Sequence, residues 1–344
     1  MSIPLTNEQL EIRDAVREQF SALFQDQLKL KLASLSSTSA SRWAEFNAIG
    51  VRDSFSYLPG QKPEWGEQEL AIIAQETGRA LLPEPIISDC LFFGFIKPEL
   101  ALSSLNQLDL SKPVVVQFSE SKKIERNSDS LRVFSVATAQ EDSNLAIIQL
   151  GQEAKLYFVA PQAFIIEKQY KTLDLLTTES DIRCDLSNLL EVRLTAGQAT
   201  RFAALQKLVL AAELVGITDR VLELTLEYVK LRKQFGVEIA SFQSVQHRLA
   251  DMYVFYESLA ALTRFAAYSA QSSPEQFCFS ANAASNYGLR QTPQIVEAAI
   301  QLFGGVGFTF EHVLHLYLRR AQLLNIREAD AGKNLIDLAK NIGG

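Results

Sequence analysis

Cysteine and histidine are scarce in this chain of 344 residues, with three of each. Cys90, Cys184 and Cys278 lie far apart and form no CxxC pair, which excludes a zinc ribbon or a disulfide scaffold and fits a reducing, cytoplasmic setting. Of His247, His312 and His315, the last two stand at i, i+3, on one face of an expected helix. No third ligand stands at a suitable spacing, so metal chemistry is set aside. Dense basic stretches are also missing: 33 Lys and Arg face 40 Asp and Glu, a net charge of −7, and a nucleic-acid partner would need a basic face. The short cluster Lys230, Arg232, Lys233 is the best candidate for an anion site. No segment offers the roughly 18 uninterrupted apolar residues of a membrane span. Even Phe202 to Val215 carries Gln206, Lys207 and Glu213. Met1 to Asp14 lacks the apolar run of a signal peptide. The expectation is a soluble protein with no membrane span.

What is present is a core-forming composition, 47% apolar and 21% charged, at a length that suggests about two domains at roughly 150 residues each. Up to about 109 the apolar residues recur at three and four, as in Leu10, Ile12, Val16, Phe20, Leu23 and again in Leu70, Ile72, Ile73, Leu81, Leu82, so this part reads as a helical domain. Thr6 with Gln9 three residues on makes a capping box. Serines crowd 34–41, Pro59, Gly60 and Pro63 make a loop, and Pro83 and Pro85 end a helix. From 110 to 196 the pattern changes to short β-rich runs: Val114–Phe118, Leu131–Val136, Leu145–Leu150, Leu156–Val159, Phe164–Glu167, Ile182–Leu186 and Leu190–Leu194. A small antiparallel sheet or barrel is expected there. From 197 to 344 the helical period returns. Leu205, Leu208, Val209, Ala212, Val215, Leu222 and Leu226 form one apolar stripe on a helix running to about Lys230. Phe242–Ala270, with Ser241 as N-cap, and Pro274–Phe303 are further long helices, and Phe310–Leu324 and Asp330–Ile342 are shorter ones. Such helices argue a bundle. The fold class is α+β, mostly α.

Two features carry chemistry. Arg232-Lys233-Gln234-Phe235-Gly236, followed by Phe242-Gln243, joins two long helices; Gly236 reads as a helix stop and Arg232 can hold a phosphate bidentately. Gln301-Leu302-Phe303-Gly304-Gly305-Val306-Gly307 puts three glycines in four residues, which exposes backbone N–H groups to a ligand. Taken singly, each reads by default as a structural turn, the first with a surface arginine.

Together, in this order, they resemble the acyl-CoA dehydrogenase family. The likeness is dense over 200–325, including Ala211-Ala212-Glu213-Leu214-Val215-Gly216, Tyr228, His247-Arg248-Leu249-Ala250-Asp251-Met252 and Leu314-His315-Leu316-Tyr317-Leu318-Arg319-Arg320-Ala321. It extends more thinly over 1–100, in Leu5-Thr6-Asn7-Glu8-Gln9 and Glu76-Thr77-Gly78-Arg79-Ala80-Leu81-Leu82-Pro83. The resemblance implies an N-terminal helical domain, a small middle β domain and a C-terminal bundle that mediates oligomerisation. It further implies FAD as cofactor, an acyl-CoA thioester as substrate and a place in lipid or steroid side-chain catabolism. In the family a neighbouring subunit's bundle grips the diphosphate and adenosine of FAD. Carried over by position, that clamp is Arg232, Gln243, Gln301, Gly304 and Gly305.

The family's catalytic glutamate, a little over twenty residues past the glycine turn, falls on Glu328. Other members carry it on the first bundle helix beside a basic residue, where this chain has Gln206 next to Lys207, and Gln cannot accept a proton. Positions at which members commonly contact acyl-CoA through an aspartate and an arginine are Ala204 and Lys207. The family's flavin-ring loops correspond to Phe118-Ser119-Glu120-Ser121-Lys122-Lys123-Ile124-Glu125-Arg126, without glycine, and Gly151 is the only glycine from 95 to 196. Two readings follow: a homo-oligomeric dehydrogenase with Glu328 as base, or a non-catalytic or half-site subunit that lends its clamp to a catalytic homologue.

Overall fold

The computed structural model describes residues 3–29, 40–56, 63–83, 85–99, 111–120, 123–137, 143–150 and 153–328. The expected Asp330–Ile342 helix, Pro59, Gly60, Gly151 and most of the serine-rich stretch lie outside the described residues. In chain order the helices are α1 (Asn7–Lys29), α2 (Ala40–Ala48), α3 (Val51–Phe55), α4 (Glu67–Ala80), α5 (Ile86–Leu91), α6 (Lys97–Glu99), α7 (Ala196–Leu231), α8 (Gln243–Ser269), α9 (Pro274–Phe303) and α10 (Leu314–Arg327). The strands are β1 (Val114–Glu120), β2 (Ile124–Arg126), β3 (Ser130–Ala137), β4 (Asn144–Leu150), β5 (Lys155–Val159), β6 (Phe164–Lys171), β7 (Thr178–Asp185) and β8 (Leu189–Arg193), with β9 (Lys233–Gln234) and β10 (Val237–Glu238) forming a separate hairpin. Two compact units result, one of residues 1–24, 67–82 and 207–344, the other of 25–66 and 83–206.

In the first unit the capping box forms as expected: the Gln9 N–H donates to Thr6 Oγ1 at 3.2 Å and the Thr6 N–H to Gln9 Oε1 at 3.1 Å, satisfying donors that the first turn of α1 leaves over. The expected single stripe on α7 is too narrow. Leu210, Ala211, Leu214, Ile217 and Val221 are buried along with Leu208, Ala212, Val215 and Leu222, so the middle of α7 is enclosed on nearly every face, as the central helix of a bundle must be. Close approach to α4 depends on two glycines. A Cβ on Gly216 would lie 1.8 Å from the Gln75 carbonyl oxygen, and one on Gly78 would lie 2.2 Å from that of Glu213. Around this crossing Arg17 bonds Glu76 and Asp219, Arg79 bonds Asp219 and Glu223, Arg320 bonds Glu213 at 2.9 Å, and the Tyr317 hydroxyl donates to the Arg79 carbonyl at 2.6 Å.

In the second unit the eight strands make two four-stranded sheets, ordered β1-β4-β5-β8 and β2-β3-β7-β6. They share a core of Val115, Leu131, Val133, Leu145, Tyr157 and Ile182, the inward set of alternating positions. β2 was not legible as a strand, and one pairing departs from the antiparallel expectation: β1 and β4 run parallel, Val114 opposite Asn144. Side-chain alternation reports which face is buried and carries no information on strand direction. The other face of the first sheet is also covered, since Phe92, in a π-helical turn (Phe92–Ile96) that follows α5, meets Phe158 of β5 with ring centroids 5.3 Å apart. Asp89 of α5 ties this layer together. Fully buried, it accepts both arms of Arg52 at 2.6 and 2.9 Å and the Val114 N–H at 2.8 Å.

Candidate functional site

The end of α7 and the end of α9 are brought together by one stacked pair. Tyr228 and Phe303 lie with ring centroids 4.0 Å apart and planes 15° apart, and the Tyr228 hydroxyl donates to the Phe303 carbonyl at 3.2 Å. One turn after Tyr228 stands Arg232, its N–H bonded to the Tyr228 carbonyl at 2.9 Å. One residue after Phe303 the glycine turn begins. Arg232, Gln301, Gly304 and Gly305 are thus gathered at one end of the helical unit. Arg232, Gln301 and Gly305 are exposed, as is Gln243, which opens α8. The Arg232 guanidinium makes no ion pair among the described residues.

The three glycines do different things. Gly304 caps α9 with φ of 64°, a left-handed conformation that glycine adopts at no steric cost, and its N–H donates to the Gln301 carbonyl. Gly307 is required by crowding, because a Cβ there would lie 2.6 Å from the Ile300 carbonyl oxygen. Gly305 meets neither condition: its φ is not positive and a Cβ would touch nothing within 4 Å. The fold places no steric demand for glycine there.

Gly236 does not stop α7, which already ends at Leu231. With Phe235 at φ 53° and Gly236 at φ 81°, it forms the two-residue turn of the β9–β10 hairpin, both central residues left-handed as such a turn demands. This turn holds the Phe235 ring 94% exposed, edge-on to Phe242 at 6.3 Å between centroids. Nor does Ser241 cap α8. Its hydroxyl donates to the Glu238 carbonyl, and the N-cap is Phe242. His312 and His315 do not share a helix face, because α10 begins only at Leu314. His312 packs on Phe303, centroids 4.3 Å apart, and accepts the Leu314 N–H at Nδ1, while burial holds its pKa below the usual value, which keeps the ring neutral near pH 7. His315 sits against Phe310 and is lowered chiefly by burial, then by Arg319.

Glu328 lies elsewhere. It caps the end of α10, and its carboxylate pairs with Lys207 in the first half of α7, both side chains largely buried at 17% and 12% exposure. From Lys207 to Leu231 the helix advances about 36 Å at 1.5 Å per residue. The structure therefore gathers Arg232, Gln301, Gly304 and Gly305 at one end of α7 and places Glu328 a helix length away from them. Gln206 is half-buried and Ala204 buried on the same helix.

Residues 197–340 match the family described as acyl-CoA dehydrogenase, C-terminal domain. The acyl-CoA dehydrogenase IpdE2 of Mycobacterium tuberculosis is 31% identical over 264 residues, which is 74% of this chain and 71% of that protein. The chain belongs to the acyl-CoA dehydrogenase family. Its fold is the acyl-CoA dehydrogenase fold as well. The ChsE4-ChsE5 complex from Mycobacterium tuberculosis aligns with a TM-score of 0.82 at 17% identity, covering 99% of each chain. A variant of the Tcur3481-Tcur3483 steroid ACAD aligns at 0.80 and 20%, covering 97% of each.

Three partners within this acyl-CoA dehydrogenase family member leave no trace in the sequence: Lys207 for Glu328, Glu213 for Arg320, and Tyr228 for Phe303. The first two pairs are 121 and 107 residues apart and leave no local signal. Among the described residues no helix is long and apolar enough to cross a membrane.

Proposed function

We propose that this acyl-CoA dehydrogenase family member is a cytoplasmic, non-catalytic or half-site subunit of an FAD-dependent heteromeric dehydrogenase, lending its helical bundle to a flavin whose ring is housed on a homologous partner. The separation along α7 supports a flavin held by another subunit, and the glycine-free residues 118–126 support a homologous partner rather than a second copy of this chain. The ring of FAD and its diphosphate are linked by a ribityl chain alone, too short to bridge the about 36 Å between Lys207 and Leu231. A clamp at one end of α7 and Glu328 at the other therefore serve different flavins. On this reading the clamp acts on a flavin seated in another subunit.

The residues present fit the diphosphate end of FAD. Arg232 offers a cation that makes no ion pair among the described residues, Gln243 and Gln301 offer exposed amides, and Gly305 offers an exposed backbone position with no side chain in the way. Apolar surface surrounds them, with Leu231, Phe235, Val306 and Phe308 exposed, as expected where another chain is to pack. When bound, FAD supplies the acceptor for a hydride from the acyl β-carbon. The residues corresponding to the family's flavin-ring loops are taken up in part by the end of β1 and by β2, and carry no glycine. That favours a partner with its own ring site. ChsE4-ChsE5 is named as a complex, and Tcur3481-Tcur3483 is a steroid ACAD. By analogy, a hetero-oligomer acting on a CoA thioester in lipid or steroid side-chain catabolism is the role proposed for this chain.

Replacing Arg232 by alanine removes a charge-assisted contact of roughly 1.5–3 kcal/mol. Flavin retained by the assembled complex at limiting FAD is expected to fall about tenfold or more. Unchanged retention would make Arg232 an ordinary surface residue.

One observation favours the self-sufficient reading. The Glu328 carboxylate is held in one place by its pair with Lys207, as a general base positioned for the acyl α-proton would be. Glu328→Gln separates the two. Loss of one general base costs ~10²-fold or more. The subunit reading instead expects turnover of the assembled complex to stay nearly intact, and a hundredfold loss with flavin still bound would overturn it.

A further inference from the structure

The helical unit contains a second concavity that the clamp and Glu328 do not use. It is a cavity of about 60 Å³ between the segment Ile3–Leu5, α1, α4, α7 and α8. Its apolar lining includes Ile72, Val215, Ala260 and Ala267, and its polar lining includes Arg13, Gln75, Tyr256 and Arg264.

Donors and acceptors are out of balance there. The Nε of Arg264 is buried and has no hydrogen-bond partner, and its guanidinium forms no ion pair among the described residues. A buried guanidinium N–H left unmade is costly, so such a group calls for an acceptor. Tyr256 presents a second donor. Burial, then Asp219 and Glu257, push its pKa up to about 12, so the phenol keeps its proton at any physiological pH. Arg13 is already engaged, donating to Asp14 through Nε and Nη2 at 2.9 and 2.7 Å. The Thr263 hydroxyl is turned back to the Leu259 carbonyl at 2.8 Å. What remains is one uncommitted cation and one phenolic donor over an apolar floor.

We propose that this cavity binds a short-chain carboxylate, its two oxygens taking the Arg264 guanidinium and the Tyr256 hydroxyl and its alkyl part lying on Ile72, Val215 and Ala260. A single negative charge suits the surroundings better than a dianion, because Asp219 and Glu257 both act on Tyr256, and Asp219 is already held by Arg17 and Arg79. At roughly 10–15 Å³ per water-sized probe, the volume accommodates a ligand of about four to six heavy atoms. Acetate, propionate and butyrate fall in or near that range, and a thioester-linked coenzyme does not.

The test is isothermal titration of the full chain with propionate, with chloride and inorganic phosphate at matched ionic strength as controls. One saturable site per chain is expected for propionate and none for the controls. Arg264→Met is expected to abolish binding and Tyr256→Phe to weaken it about tenfold, equivalent to about 1.4 kcal/mol. Arg264→Lys guards against a folding defect: it keeps the charge and loses the planar fork, so a correctly folded variant is expected to bind at least tenfold more weakly. Equal responses to chloride or phosphate would overturn the proposal. So would binding that survives Arg264→Met, or no propionate binding by the wild-type chain.

Discussion

Asp89→Ala is expected to lower the unfolding free energy by about 3–5 kcal/mol, as removal of one partner of a buried ion pair typically does. Asp89 is fully buried and accepts three hydrogen bonds, two from Arg52 and one from the Val114 N–H. Its loss removes two charge-assisted hydrogen bonds from the Arg52 guanidinium, 11% exposed and lying against the rings of Trp43 and Phe93, and one from the Val114 N–H. The variant also opens the junction of α3, α5 and β1, so chemical denaturation of purified protein should show the loss as a lower midpoint. A change below 1 kcal/mol would mean that water reaches Arg52 and replaces the carboxylate.

Gly216→Ala is expected to cost about 3 kcal/mol, the upper part of the range for overpacking a close contact. Two effects oppose each other here. In a helix interior, alanine is favoured over glycine by about 1 kcal/mol. The added methyl, however, would stand 1.8 Å from the Gln75 carbonyl oxygen and 2.7 Å from the Arg79 nitrogen, and backbone cannot rotate aside as a side chain can. Steric repulsion wins, and α4 must move off α7. That motion would strain the Arg320–Glu213 pair and the Tyr317–Arg79 hydrogen bond, which span the same crossing. Thermal unfolding of the variant is the check, and an unchanged or raised melting temperature would show that the two helices separate without penalty.

Much of the helical unit is legible in the sequence because amphipathic periodicity and end signals agree. Thr6 and Gln9 sit where a capping box requires, and Pro274–Phe303 emerges with the boundaries that Pro274 and Gly304 mark. Gly236 misleads for a physical reason: a glycine shortly after a helix suits a left-handed C-terminal residue and a hairpin turn equally well, and only the pairing of Val237 with Gln234 decides. The parallel β1–β4 pair was hidden because period-two burial is the same in both strand directions. At the candidate site the clamp was visible as two local motifs, but its coupling was not, since the Tyr228–Phe303 stack joins residues 75 apart. The position of Glu328 came from counting against a family pattern. Its pairing with Lys207 is a tertiary fact with no local trace.

The proposed role of the clamp on this chain is to serve a flavin carried by another subunit. Its most direct test is the visible absorbance of the purified chain, alone and after co-purification with a homologue that has its own flavin-ring loops, read as flavin per chain. The chain alone is expected to be colourless, the assembled pair to carry flavin, and the pair containing Arg232→Ala to lose most of it at limiting FAD. Stoichiometric flavin on the chain alone, retained after Arg232→Ala, would contradict the account.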